Sequence, residues 1–300
     1  MPYHLPKRSR RVALLEGVVA GALFGTAAIF INLLKAGGFE DGFSIAFWRL
    51  VVASLVLVVV IFASIRRFNW SLLRKDIRRT SLLGVLIGSH FILFVSAVLD
   101  TTIINATVLV NTTPIWSMFV SSLIFKLKPS RLAMFGIALS FLGVFIITYG
   151  HVASMIWTVQ LKGDLEAVLA AVVEAFYLSY GRETRQKMPL LPLMLTIYIF
   201  AAVTVLVTGF AASSTFAFPL ELSMILALIG LGVLPTALAH SFYFSSLSNL
   251  KSFETATMAL LEPVGATVLG IIVFAQIPNP VFILGAALVL AGIVSVATKE

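Results

Sequence analysis

Apolar runs long enough to cross a bilayer recur along almost the whole chain, and they constrain its fold more than any other feature. One of them extends from about Phe253 to Phe274, roughly the 20 residues that a helix needs to span the hydrocarbon core. Hydrophobic residues make up 60% of the 300 positions and charged residues 11%, whereas soluble domains average about 45–50% and 25%. The sequence therefore predicts an all-α integral membrane protein.

Short segments that are charged or contain Gly, Pro or Asn separate the apolar runs. The first run is longer than the apolar region of about 7–15 residues in a signal peptide, so we interpret it as an uncleaved span. Ten transmembrane helices are predicted, at 12–34, 43–65, 78–99, 102–125, 131–149, 164–182, 190–211, 219–244, 252–275 and 280–298.

The distribution of Lys and Arg predicts the orientation of these spans. With a cytoplasmic N-terminus, 18 of the 21 basic residues fall in cytoplasmic segments, two in outer segments and one, Arg49, within a span. This bias is the one that the positive-inside rule describes. We therefore predict that both termini are cytoplasmic, and we attribute the net charge of +8 to membrane orientation rather than to nucleic-acid binding.

A repeat relates the two halves of the sequence, 1–150 and 151–300. Each half holds five predicted spans, and this odd number requires the two copies to enter the membrane in opposite directions. Inverted repeats of this kind are typical of secondary transporters, although some channels also have them. Five pairs of residues share an offset of 149 positions: Asn105 and Glu254, Pro114 and Pro263, Pro129 and Pro278, Gly136 and Gly285, and Gly143 and Gly292.

Two segments carry a family resemblance: GDLEAVLAAVVEAFYLSYGR at the start of the second half and ATMALLEPVGATVLGIIVFAQIPNPVFILGAALVLAGIV near the end. In these segments and in its five-plus-five repeat, the sequence resembles the EamA branch of the drug/metabolite transporter (DMT) superfamily, which includes the YddG-like amino-acid exporters. The resemblance implies a central cavity lined by spans 1, 3, 4, 6, 8 and 9. The sequence departs from the family pattern at Phe125–Lys126 and Ala275–Gln276, where Gly–Glu is common, and at Glu174, where Trp is common.

Span 6 carries a carboxylate near its middle. Glu174 shares one helical face with Ala170 and Tyr177, at three- and four-residue spacing. A charged residue at the bilayer centre costs about 2.5–3.5 kcal/mol on insertion scales, and such residues are functional candidates by default. We interpret Glu174 as a substrate or proton site that faces the cavity. The alternative is a protonated carboxyl that hydrogen-bonds a neighbouring helix.

His90 and His240 lie in spans 3 and 8, which the repeat relates within one position. Imidazole can hold or pass a proton near neutral pH, so a cavity role and a packing role both remain open. Neither histidine has neighbours suited to a metal site. The other candidates for the cavity lining are Asn111, Trp116, Tyr177 and Tyr243.

Arg49 lies only about six residues inside span 2. We expect its long side chain to reach the outer interface and to anchor the helix there. The cavity would then contain scarcely any Lys or Arg, which disfavours phosphate-bearing substrates. The small residues predicted to form helix-packing surfaces are Gly136, Gly143, Gly285 and Gly292.

A Glu–Pro pair, Glu262 and Pro263, interrupts the ninth span. Proline removes a backbone donor and frees the carbonyl four residues earlier. Because Pro114 is the counterpart of Pro263, an irregular helix is expected in both halves. Glu262 has no acidic counterpart, since Thr113 occupies the equivalent position. We interpret Pro114, Glu262 and Pro263 as hinge or coupling residues rather than as selectors of substrate.

Together these features predict a secondary active or facilitative transporter that moves a small metabolite by alternating access. The resemblance implies amino acids or related amphiphiles, moved in the export direction. The alternatives are an efflux carrier for organic cations, amines or drugs, centred on Glu174, and a passive channel. An intramembrane enzyme is disfavoured because the sequence has no HExxH or GxSxG motif.

The expected partners follow from the same features. They are a small-molecule substrate, the lipid bilayer of the cytoplasmic (inner) membrane, and protons as a candidate coupling ion. The sequence has no P-loop, so ion or substrate gradients are the expected source of energy. It also has no cysteine, which excludes disulfides and thiolate metal sites. We expect no cofactor, no metal and no nucleic acid, and a monomer or a homodimer.

Overall fold

The computed structural model describes residues 9–64, 76–149, 161–274 and 280–298. The predicted loop residues at 65–75 and 275–279, including Gln276 and Pro278, and the predicted boundary at 150 lie outside these ranges. Every regular element in the described ranges is helical, and no residue in them forms a strand. The elements in chain order are α1 (Arg10–Phe24), α2 (Ala27–Ala36), α3 (Gly42–Ser64), α4 (Ile77–Asp100), α5 (Ile103–Val110), α6 (Thr113–Leu123), α7 (Arg131–Tyr149), α8 (Leu161–Arg185), α9 (Leu190–Ala211), α10 (Leu222–Leu231), a π-helix (Gly232–His240), α11 (Ser241–Ser246), α12 (Ser252–Met258), a 3-10 turn (Ala259–Leu261), α13 (Glu262–Phe274) and α14 (Pro280–Ala297).

Six helical segments in the described part of the chain have the length and apolar composition needed to cross a membrane. The apolar helix Arg131–Ile147 is shorter. An all-helical, multi-pass membrane fold is therefore confirmed. The six segments are Arg10–Ala36, Gly42–Ser64, Ile77–Asp100, Leu190–Ala211, Leu222–Ser246 and Pro280–Ala297.

Helices are interrupted directly before both of the repeat-related prolines. The break between α5 and α6 precedes Thr113, and Pro114 stands in the first turn of α6. In the second half, a single 3-10 turn separates α12 from α13, which begins with Glu262 and Pro263. Since proline cannot continue the helical hydrogen bonding behind it, the two breaks have the same cause. The predicted irregularity in both halves is confirmed.

The π-helix was not predicted. It contains Pro235, which cannot donate to the carbonyl of Leu231, and the hydroxyl of Thr236 donates to that carbonyl instead, at 2.6 Å. The carbonyl of Thr236 in turn accepts a hydrogen bond from the hydroxyl of Tyr198 at 2.7 Å. π-helical turns occur frequently at functional sites. Here the distortion directs Thr236 toward the protein interior.

Glycines bring α7 and α14 into backbone contact. A Cβ atom on Gly143 would lie 2.5 Å from the carbonyl oxygen of Gly285, and one on Gly136 would lie 2.6 Å from that of Gly292. No side chain fits at these distances, so the packing surface predicted from the four glycines is confirmed.

A second close crossing joins α13 to the break between α1 and α2. A Cβ atom on Gly25 or on Gly265 would collide with the backbone of the opposite helix. This approach holds the first turn of α13, and with it Glu262, against the N-terminal segment.

Candidate functional site

A small central cavity with a volume of about 40 Å³ lies among helices from both halves of the sequence. Its residues come from the spans that the resemblance implied and, in addition, from α3. Aromatic and aliphatic side chains form one part of its wall. Its polar lining consists of Arg49, His90, Asn111, Thr113, Glu174, His240 and Glu262.

Two buried carboxylates line this cavity, as expected for Glu174. The Oε2 atom of Glu174 accepts a hydrogen bond from the hydroxyl of Thr113 at 2.9 Å. The Oε2 atom of Glu262 accepts one from the Nδ2 atom of Asn111 at 3.3 Å. Both donors lie at the break between α5 and α6. The proline-induced break therefore supplies a polar partner to each acid.

The hydroxyl of Thr113 serves two acceptors. It also lies 2.8 Å from the carbonyl oxygen of Val110. A hydroxyl has one hydrogen to donate, so Glu174 and Val110 share this donor. Thr113 therefore satisfies the carboxylate of Glu174 only in part.

The two histidines lie close together in the cavity wall, with ring centroids 6.2 Å apart. The Nδ1 atom of His90 lies 3.1 Å from the carbonyl oxygen of Ala170, which can only accept, so this nitrogen carries the hydrogen. The ring of His240 packs edge-on against Phe24 and Phe91, and its Nδ1 atom has no hydrogen-bond partner among the described residues. His90 is therefore held by a hydrogen bond, whereas His240 keeps one buried ring nitrogen unpaired within the described part of the chain.

The structure contradicts the interfacial position expected for Arg49. Its side chain is 1% exposed and lines the cavity. The Nε atom donates to the hydroxyl oxygen of Thr236 at 2.9 Å, and the guanidinium carbon lies 4.1 Å from the centroid of the Phe91 ring. These two partners hold the side chain in the interior. One signal in the sequence pointed to this position, because Arg49 is the only basic residue more than two positions inside a predicted span.

The three aromatic candidates differ in position. Tyr177 and Tyr243 are fully buried, but neither is among the residues that line the cavity. Tyr243 contacts one lining residue, Phe24, edge-on with ring centroids 5.1 Å apart. Trp116 does not take the expected cavity position. It is 36% exposed, and its indole donates to the hydroxyl of Thr112 on its own helical segment. The buried face of α6, which includes Thr113, turns Trp116 outward.

Glu262 also lines a second, mostly apolar cavity, formed with residues of α2 and α5 such as Asn32 and Thr107. Gly25, at the break between α1 and α2, and Pro263 lie in the same wall. Glu262 thus lines both cavities. A hinge or coupling residue, the role predicted for Glu262, is expected in such a position.

Comparison with known proteins identifies the class of molecule that carries this cavity. A family model described as the EamA-like transporter family matches residues 11–149 and, a second time, residues 161–298. The chain belongs to the EamA-like transporter family. Membership implies a membrane transporter rather than an enzyme.

Relatives of this EamA-like transporter bear names that agree with that class. An uncharacterized transporter of Archaeoglobus fulgidus is 25% identical over 275 residues, which cover 87% of this chain and 89% of that protein. The uncharacterized transporter YdfC of Bacillus subtilis is 26% identical over 252 residues, with 83% and 79% covered. A second B. subtilis protein, the uncharacterized transporter YxxF, is 20% identical over 290 residues, with 96% and 90% covered. None of these names specifies a substrate.

A solved crystal structure also resembles the EamA-like transporter. It superposes with a TM-score of 0.76 over 96% of both chains, at 17% identity. At this identity the likeness shows the fold alone.

Proposed function

We propose that this EamA-like transporter is a secondary transporter of the cytoplasmic membrane that moves small metabolites, in the export direction, by alternating access. The observation that carries the proposal is the central cavity, in which helices from both halves enclose buried ionisable groups. In the proposed topology, ten spans form two inverted repeats, 1–150 and 151–300, with both termini in the cytoplasm. Substrate sites between such repeats are a recurring feature of secondary transporters.

Two polar contacts, made by the repeat-related residues Asn105 and Glu254, support the proposal of alternating access. Asn105 donates to the carboxylate of Asp164 at 3.2 Å, and this contact joins the first turns of α5 and α8. Glu254, the counterpart of Asn105, pairs with Arg10 and joins α12 to α1. In the proposed topology the first contact lies on the outer side and the second on the cytoplasmic side. Opening one contact while the other stays closed would expose the cavity to one side at a time.

The chemistry of the cavity favours an amphiphilic metabolite that carries an ammonium group. Phe24, Phe91 and Phe94 offer aromatic surface, and Glu174 offers a carboxylate to an ammonium group. The sequence-based argument against phosphate-bearing substrates no longer holds, because Arg49 lies inside the cavity. A phosphate dianion would nevertheless face two carboxyl groups in the same space, whereas the ammonium group of a zwitterion would be attracted by them.

Counterflow in proteoliposomes tests the proposal. Purified protein is reconstituted, the vesicles are loaded with each of the twenty amino acids or with amines, and uptake of trace labelled compound is measured with and without a pH gradient. A transporter should show saturable counterflow for at least one compound. Uptake that rises linearly with concentration and shows no counterflow would indicate a channel and would overturn the proposal. Counterflow of amines without amino acids would favour the organic-cation carrier.

A further inference from the structure

A guanidinium group in the centre of the protein lacks a full set of partners. Arg49 donates through Nε to Thr236 and packs on the ring of Phe91. Its Nη1 atom is buried and has no hydrogen-bond partner among the described residues. An unpaired charged group is costly to bury, and burial is favourable only when other groups compensate for the lost water. Arg49 is therefore the most incompletely satisfied charge in the cavity wall.

No carboxylate in the described part of the chain neutralises Arg49. None of the ion pairs found among those residues includes it. The two acids of the cavity have other partners, since Glu174 contacts Thr113 and Glu262 contacts Asn111. The guanidinium thus keeps unused donor capacity in the wall of the central cavity, whose volume of about 40 Å³ must increase to admit a metabolite.

We propose that Arg49 binds the carboxylate of the transported metabolite, with Nη1 as a donor. This inference rests on the proposed function and narrows its substrate class to amino acids and similar zwitterions. Arginine suits the task because its planar guanidinium matches the two oxygens of a carboxylate. Phe91 and Thr236 fix the plane and the direction of the group, so little side-chain freedom is lost on binding. Glu174, in the same cavity, takes the ammonium group of the zwitterion.

A set of matched ligands tests the charge requirement on the unaltered protein. The probes are the twenty amino acids, their carboxamides, which lack the anionic oxygen, and the corresponding decarboxylated amines. Binding is measured in detergent by ligand-dependent thermal stabilisation, and transport is measured by counterflow in liposomes. We expect each amino acid that binds to do so about 10- to 100-fold more tightly than its carboxamide, the range of one charged hydrogen bond.

Variants of Arg49 test whether this side chain causes the preference for the acid over the amide. Arg49→Gln should remove the difference in affinity between the amino acid and its carboxamide, because it weakens binding of the acid alone. Arg49→Lys, which keeps the charge without the planar fork, should retain part of the difference. Arg185→Gln is the matched control, since Arg185 is also buried, at 4% exposure, but does not line the cavity.

Different results would overturn the role of Arg49 and the proposed function. Equal affinity for acids and amides in the unaltered protein would overturn the role of Arg49 and leave transport intact. A preference for acids that persists in folded Arg49→Gln protein would overturn that role as well. Failure of every compound to show counterflow would instead overturn the proposed function. Because the ligand series is measured on the unaltered protein, it tests the inference even where Arg49→Gln fails to fold.

Discussion

The hydroxyl of Ser140 donates a hydrogen bond to the carbonyl oxygen of Val289 at 3.1 Å, and these two residues are themselves separated by the repeat offset of 149 positions. In an arrangement with two-fold symmetry, a residue contacts its own counterpart only near the axis. The neighbouring contact between Gly143 and Gly285 has the same two-fold character, because it maps onto the contact between Gly292 and Gly136. These contacts support the proposed inverted repeat, with its axis between α7 and α14.

Enlarging a glycine beside this axis should destabilise the fold. We expect Gly143→Leu to lower the free energy of unfolding by about 1–3 kcal/mol, because overpacking forces the two backbones apart. Thermal unfolding in detergent, followed by intrinsic fluorescence, measures the effect. Ala291→Leu adds bulk at an exposed position of α14 and serves as the control. Equal stability of the two variants would contradict the close packing.

Glu262→Gln should slow transport and spare binding. Glutamine retains the size of the side chain and can accept the hydrogen bond from Asn111, but it cannot change charge between the two cavities that Glu262 lines. We expect a fall of about tenfold or more in the rate of counterflow, in the range attributed to a lost proton-transfer group. Thermal stabilisation by substrate should stay close to that of the unaltered protein. A parallel loss of binding would show that Glu262 selects the substrate.

The control for this variant is Glu183→Gln. Glu183 lies on the exposed surface of α8, where it pairs with Arg79 at 3.5 Å. An exposed pair of this kind contributes little to stability, so the control should transport normally.

Glu174→Gln should discriminate among substrates by their ammonium group. A carboxylate attracts a cation through charge, and glutamine lacks that charge. We expect transport of amino acids and amines to fall strongly, whereas compounds without an ammonium group should be affected little. Counterflow of a matched pair, such as leucine and 4-methylpentanoate, provides the measurement. Equal loss for both compounds would indicate that Glu174 supports the helices rather than the substrate.

The ion pair between Arg10 and Glu254 should contribute to stability. The carboxylate of Glu254 is fully buried, and it also accepts a hydrogen bond from the backbone N–H of Lys251 at 2.6 Å. Arg10→Gln leaves this carboxylate without its charged partner, and we expect a loss of about 1–3 kcal/mol, the cost of an unsatisfied buried group. The measurement is again thermal unfolding.

A double-mutant cycle measures the interaction energy between Arg10 and Glu254. The variant that combines Arg10→Gln with Glu254→Gln should be less destabilised than the sum of the single variants, because the groups interact directly. Arg11→Gln, at an exposed neighbouring position, should be close to neutral. Additive effects would argue against a significant ion pair.

Asp41, in the loop before α3, should make stability depend on pH. Burial alone would raise the pKa of Asp41, but hydrogen bonds from the hydroxyls of Ser214 and Ser44 and from the backbone lower it below its ordinary value of 3.8. The carboxylate therefore stabilises the folded protein above the ordinary pKa, and this contribution is lost as the pH falls through the folded pKa. Asp41→Asn should be less stable than the unaltered protein at pH about 6.

The difference should shrink as the pH falls below 3.8. Melting curves of both proteins over this pH range give the measurement. Glu40→Gln, at the exposed adjacent position, should leave the melting temperature unchanged. A constant difference between Asp41→Asn and the unaltered protein at every pH would contradict a role for the charge.

The sequence by itself determined the class of fold and the helix breaks at the two repeat-related prolines. Apolar runs, a repeated proline and repeated glycines act locally or through their own helix, so their effects follow from position alone. Glu174, His90 and His240 could be named as candidates for a common cavity because each is a polar residue in mid-span, where few environments tolerate it. The number of spans, their orientation and the transported compound remain predictions.

Tertiary contacts decided where Arg49 and Trp116 lie. A long side chain near a helix end can reach the interface or turn inward, and residue order does not distinguish these outcomes. Arg49 turns inward because Phe91 and a distorted π-helical turn, which carries Thr236, hold its guanidinium group there. Trp116 faces outward because the opposite face of α6, with Thr113, Ser117 and Ser121, is buried. Both outcomes depend on the rotation of one helix against another, and only the packed structure establishes that rotation.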